Sequence, residues 1–192
     1  TTSGNPLSVN AGNIVYIKNE LRIPAGKVIT ITGLEIRFAP DAKLIIEAGT
    51  AALPGGRLTL NGTVLTVDTR CTTTSLWRGV EVWGNSTLVQ GTNLNTTKQG
   101  RLIMTNNARI EHARIGALAG NLNTSTFDDN KAGGIIQASN SQFLNNQRDA
   151  YLRPYLSPTA TESNRSSFTN VWFTTNALLK GGLTLQNHLQ LN

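Results

Sequence analysis

Cysteine is almost missing from this chain of 192 residues: Cys71 stands alone, so no internal disulfide and no cysteine-based metal site is available. Histidine is nearly as scarce. His112 and His188 lie far apart without a metal-ligand spacing, so neither a metal nor any other cofactor is expected. Acidic residues number only 11 and mostly sit singly, which leaves little for paired-carboxylate chemistry. No apolar run approaches the roughly 20 residues needed to cross a bilayer, so no membrane insertion is expected. No stretch keeps a helical period, which argues against an α-rich fold.

What fills the space is Gly, Thr, Ser and Asn, with hydrophobic residues at 39% and charged residues at 15%. That composition suits many short strands joined by tight turns. Ile, Leu and Val recur throughout at strand spacing, so the chain lacks the signature of disorder. Its length fits one domain. The formal charge is +6, yet Lys18, Arg22, Lys43, Arg57, Arg70, Arg101 and Arg148 are scattered. This reads as a basic surface with weak attraction for acidic polysaccharide or a cell-envelope component, and not as a nucleic-acid footprint.

A repeat emerges when GRLIMTNNARIEHARIGA (100–117) is laid over GGIIQASNSQFLNNQRDA (133–150). Ile103 falls on Ile136, Asn107 on Asn140, Ile110 on Phe143 and Ala117 on Ala150. Continuing with SSFTNVWFTTNA (166–177) sets Asn170 on Asn140, Phe173 on Phe143 and Asn176 on Asn146. Offsets of 33 and 30 lie in the range of stacked repeat architectures. The segments between the copies, 117–133 and 151–165, read as surface insertions. Upstream, KVITIT (27–32), LEIRFAP (34–40), KLIIEAG (43–49), RLTLNGTVLTV (57–67) and WRGVEVWGNS (77–86) are strand-length runs separated by Gly, Pro or Asp.

Short strands, turn residues and uneven loops predict an all-β fold, a right-handed parallel β-helix whose coils hydrogen-bond only to their neighbours. A β-sandwich would instead predict antiparallel hairpins without internal similarity near 30 residues. Residues 1–26 are expected to form an N-terminal cap or first coil, and 27–192 the coils. Asn140, in line with Asn107 and Asn170, is read as a corner residue in the left-handed region that asparagine tolerates. The stacked side chains would form a hydrogen-bonded ladder, with a shorter one from Asn146 over Asn176.

The runs LWRGVEVWGNS, QGRLIMTNNARIEHARIGA and GGIIQASNSQFLNN resemble the pectin-lyase-like β-helix domains of large bacterial secreted and surface proteins, from about residue 20 to residue 177. These motifs speak to the fold and to no activity. The resemblance implies an extracellular or cell-surface location within a longer multidomain chain. The closing GGLTLQNHLQLN reads as another incipient rung, so truncation at the C-terminal end is expected.

Some relatives of such folds cleave polysaccharides, which needs two carboxylates, or a base with metal-binding acids. Acids at matched positions of neighbouring coils would supply them, but Glu111 falls on Leu144 and Thr174, and Asp149 on Gly116. The one acidic pair is Asp128–Asp129, placed in a turn. Glu111 and His112 are adjacent in sequence and point to opposite faces. For binding, Trp172 should face outward by alternation, while Tyr151 and Tyr155 sit in a long insertion flanked by Arg148 and Arg153. Trp77 and Trp83 read as packing residues. The expected role is binding or scaffolding, adhesin-like and glycan-contacting. A carbohydrate-active enzyme on the same fold and a purely structural spacer stand as alternatives.

Overall fold

A computed structural model describes residues 13–70, 75–159, 164–177 and 179–191. Cys71 and residues 1–12 of the expected cap lie outside the described residues. The fold is all-β, with no α-helix among the described residues. After β1 (Ile14–Ile17) and β2 (Glu20–Ile23) the chain runs in threes. These are β3 (Val28–Thr32), β4 (Glu35–Phe38) and β5 (Lys43–Ile46); β6 (Arg57–Asn61), β7 (Val64–Val67) and β8 (Trp77–Val82); β9 (Arg101–Thr105), β10 (Arg109–Glu111) and β11 (Ala113–Ala119). From β1 to β8, each strand pairs in parallel with the strand three places later. The hairpin β12 (Asn121–Asn123) and β13 (Thr126–Asp128) follows, and its pairing is antiparallel.

Beyond the hairpin the tiers simplify. β14 (Ile135–Leu144) pairs with β9 through its first half and with β10 through its second. β15 (Arg148–Leu152) continues β11, β16 (Ser167–Thr174) lies along β14, and β17 (Asn187–Leu191) closes on β15. The result is a nine-stranded sheet and a six-stranded sheet, with β2, β5, β8, β11, β15 and β17 in the smaller.

Alternation fixes which side chains meet between the sheets. One in-register column runs Val15, Ile36, Leu65, Ile110, Phe143, Phe173; another runs Ile31, Leu60, Met104, Ala138, Phe168. Phe143 stacks on Phe173 at 5.3 Å between ring centres, and Phe38 on Trp77 at 4.2 Å. The six-stranded sheet adds Leu44, Ile46, Val80 and Val82 to the same core. Each fully buried aliphatic side chain contributes about 1.5–3 kcal/mol, and more than a dozen of them do so here.

The turn between the two strand columns of the larger sheet needs a left-handed residue in every tier described. Gly33 (φ 63°) and Gly62 (φ 59°) supply it early, Asn106 (54°), Asn107 (62°), Asn140 (44°) and Asn170 (51°) later. Two asparagines in succession make that one corner a residue longer than its neighbours. The sequence alignment is corrected there. Ile136 pairs with Leu102, not with Ile103, and the offset of 33 resumes only after the corner, at Arg109 and Ile110. The run 57–67, expected as a single stretch, is likewise two strands hinged at Gly62.

Candidate functional site

The two outward faces differ in what covers them. On the nine-stranded sheet the register sets Trp172 beside Gln142, and Gln142 beside Arg109. Trp172 is 63% exposed. With Asn107, Asn140, Gln142 and Asn170 it lines a shallow groove of about 100 Å³. The corner asparagines are joined across tiers. Asn170 Nδ2 donates to Asn140 Oδ1 at 2.5 Å, Asn107 N–H to the Asn140 carbonyl at 2.7 Å, and Asn106 Nδ2 to Asn61 Oδ1 at 2.7 Å. An indole face beside fixed amides combines an apolar platform with donors and acceptors. That pairing suits a sugar ring, whose C–H surface and hydroxyl rim need one of each.

The second corner is arranged differently from the expected Asn146–Asn176 pair. Asn176 exchanges hydrogen bonds with Asn145, whose Oδ1 accepts from Asn176 N–H and whose Nδ2 donates to Asn176 Oδ1, both at 2.9 Å. Asn146 turns inward and is fully buried. It accepts from Ala113 N–H and donates to the Ile110 carbonyl and to Asp149 Oδ1. Asp149 is fully buried as well, and His188 Nδ1 lies 2.6 Å from its second oxygen. Burial pushes the Asp149 carboxyl above its ordinary range, against the opposing pull of the bonds from His188 and Asn146. This cluster ties β17 to the body of the molecule.

On the smaller sheet the outward face of the middle strands is covered. Its outward column Ile45, Glu81, Leu118, Tyr151 is roofed by loops. Leu122 and Phe127 of the β12–β13 hairpin pack on Ile115, Leu118 and Tyr151. Tyr151, expected at a partner surface, is 4% exposed with Phe127 edge-on to its ring. Tyr155 donates through its hydroxyl to the Leu88 carbonyl, and its ring sits where a Cβ on Gly133 would fall, 2.7 Å away. Arg153 bonds Tyr151 Oη and Asp129, while Arg148 lies over the Tyr151 ring and reaches Gln186. Asp128 caps the 3₁₀ turn through Asn130 N–H. Arg153 and Tyr155 thus hold the insertion onto the fold, while Asp128 is spent on its own turn and Arg148 on the Tyr151 ring and Gln186.

Glu81 is the residue of this face that sequence reasoning passed over. It stands between the buried valines Val80 and Val82 and is itself only 5% exposed. Lys43 Nζ donates to both its oxygens, at 3.1 and 3.2 Å, and Trp83 Nε1 and Asn121 Nδ2 each reach Oε2 at 2.9 Å. Four donated bonds satisfy the buried carboxylate. Alternation had put it outward; only the hairpin that carries Asn121 makes outward mean covered. Trp83 in turn lies between Arg22 and Lys131, both about 5 Å from its ring. Trp77 is fully buried, donating from Nε1 to the Glu111 carbonyl.

His112 occupies a left-handed corner (φ 56°) between β10 and β11. Burial holds its imidazole below the ordinary histidine range, helped by Lys180 and Arg109 and opposed by Glu111. Glu111 itself pairs with Arg109 at 2.7 Å, so the two adjacent residues do not form an acid–base pair.

No family model matches the chain, and neither a curated protein nor a solved structure does. No helix among the described residues is long and apolar enough to cross a membrane.

Proposed function

We propose that this chain is a right-handed parallel β-helix module of the secreted or cell-surface kind, resembling pectin-lyase-like domains, and that it binds glycan on the open face of its larger sheet. The single observation that carries the binding role is Trp172, an exposed indole in register with polar side chains at the rim of a groove. An indole exposed to that degree leaves much of its face open to a ligand. The pairing of each strand with the one three places on supports the coiled architecture. The asparagine columns joined across tiers on that face support an adhesin-like binding or scaffolding role. A glycan-array screen of the wild type beside Trp172→Ala tests it. Binding to a neutral glycan that the variant loses at least tenfold is the expected result; equal binding by both proteins would sink the assignment to this groove.

A further inference from the structure

Cations without a carboxylate are the other unusual feature of the open face. Every described carboxylate is committed elsewhere. Nine lie within ion-pair distance of a basic group, and Asp128 caps a turn. Arg57 and Arg101 are left without an acidic partner among the described residues. Both are half-buried, and the register sets them directly beside one another on β6 and β9, about 4.8 Å apart at the backbone. Two like charges at that spacing repel, more so where water is partly excluded. Burial holds the Arg101 guanidinium below its ordinary range, and the Arg57 charge adds to the effect.

Among the described residues, neutral groups hold the two side chains. Arg57 Nη1 donates to Asn95 Oδ1 at 2.6 Å. Arg101 donates twice to Gln137 Oε1 and once to the Leu94 carbonyl. A guanidinium carries five N–H donors, which leaves four on Arg57 and two on Arg101 unspent by these bonds. Both arginines line one cleft, between the start of the strands and the loop through Leu94, Asn95 and Thr97. Loop and sheet thus hold the forks in place, so little side-chain freedom remains to be lost on binding.

We propose that Arg57 and Arg101 form an oxyanion-binding site, which takes the carboxylate or sulfate groups of an acidic polysaccharide lying along the open face. One oxyanion bridging the two forks satisfies unspent donors on both and removes their mutual repulsion. The site is separate from the Trp172 groove and does not depend on it.

The test compares binding of the full chain to dextran sulfate, polygalacturonate and neutral dextran at low ionic strength. Five proteins are used: wild type, Arg57→Gln, Arg57→Lys, Trp172→Ala and the charge-matched control Lys18→Gln, at an exposed position remote in sequence. Wild type should bind at least one acidic polymer and not dextran. Arg57→Gln should lose about tenfold, Arg57→Lys less, since it keeps the charge but not the fork, and Lys18→Gln less than about twofold. Binding of only the sulfated or only the carboxylated polymer assigns the oxyanion. Trp172→Ala should leave this binding intact, which separates failure here from failure of the groove. Equal losses in Arg57→Gln and Lys18→Gln would reduce the effect to net charge and overturn the proposal, as would no binding of either acidic polymer. Arg57→Gln removes only one bond to an exposed asparagine, so its melting curve should match wild type.

Discussion

The outward faces of the two sheets are built from the same alternating strands, yet one is open around Trp172 and loop-covered only beside Arg101 and Ile135, and the other is roofed. On the smaller sheet, Ile45, Glu81 and Tyr151 all point away from the interior and are all buried, because the β12–β13 hairpin and the loops after β8 and β15 lie over them. On the larger sheet, Arg57, Arg101, Gln142 and Trp172 point away from the interior and stay accessible to differing degrees. The lesson is that outward facing and solvent exposure are separate properties in stacked parallel sheets. Strand periodicity sets the first, and loop length sets the second. Substitutions on the roofed face should therefore be read as stability, and those on the open face as binding.

The sharpest break of that contrast is Glu81→Ala. It removes the carboxylate on which Lys43, Trp83 and Asn121 converge and strands a largely buried ammonium, so denaturant unfolding should show a loss of about 3–5 kcal/mol. Tyr151→Ala should cost about 3 kcal/mol, by emptying the space between Phe127 and Leu118, and should leave glycan binding at the wild-type level in whatever fraction folds. Reduced affinity with unchanged stability would reverse the assignment of this face.

The corners that join the two strand columns test the open face more gently. Asn140→Ala loses the bond from Asn170 and puts an alanine at φ 44°, for about 1–2 kcal/mol. Asn140→Gly restores the backbone freedom and should recover part of that loss. If the alanine variant melts like wild type, the asparagine column has no structural role.

Acidification should have a further effect through His112, where the column between the sheets turns. Its folded-state affinity for protons is depressed, so the unfolded chain takes up the proton first. Stability is then full above the ordinary histidine range and falls as pH drops from about 6.5 toward the lower folded value. Asp149, shifted upward, works in the opposite sense. Its folded form holds the proton longer, so stability rises as pH falls through its raised value toward its ordinary one. The clean measurement is the difference in melting temperature between wild type and His112→Asn at pH 7 and pH 5. It should shift in favour of the variant at pH 5. The smallest stability effect belongs to Trp172→Ala, within about 0.5 kcal/mol for an exposed position, together with the loss of glycan binding.

Much of the architecture was open to reading from residues alone. Strand-length runs such as RLTLNGTVLTV fell where strands form, and the left-handed corner at Asn140 followed from asparagine's tolerance of positive φ. Trp172 faced outward by alternation. The reading slipped at Asn106–Asn107, since a doubled corner residue adds to the offset without altering composition. It slipped more seriously at Tyr151 and Tyr155. Their insertion looked like free surface, but its arginines and tyrosines are spent on Asp129, Leu88 and Phe127.

The sequence by itself therefore determined the all-β character, the inward columns and the corner chemistry, because these depend on local periodicity and on single-residue backbone preferences. Only the tertiary structure decided which outward side chains meet water. That depends on where the 84–99 loop, the 121–128 hairpin and residues 153–159 come to rest, and their docking is set by contacts across 40 residues and more, such as Asn121 on Glu81 and Tyr155 on Leu88.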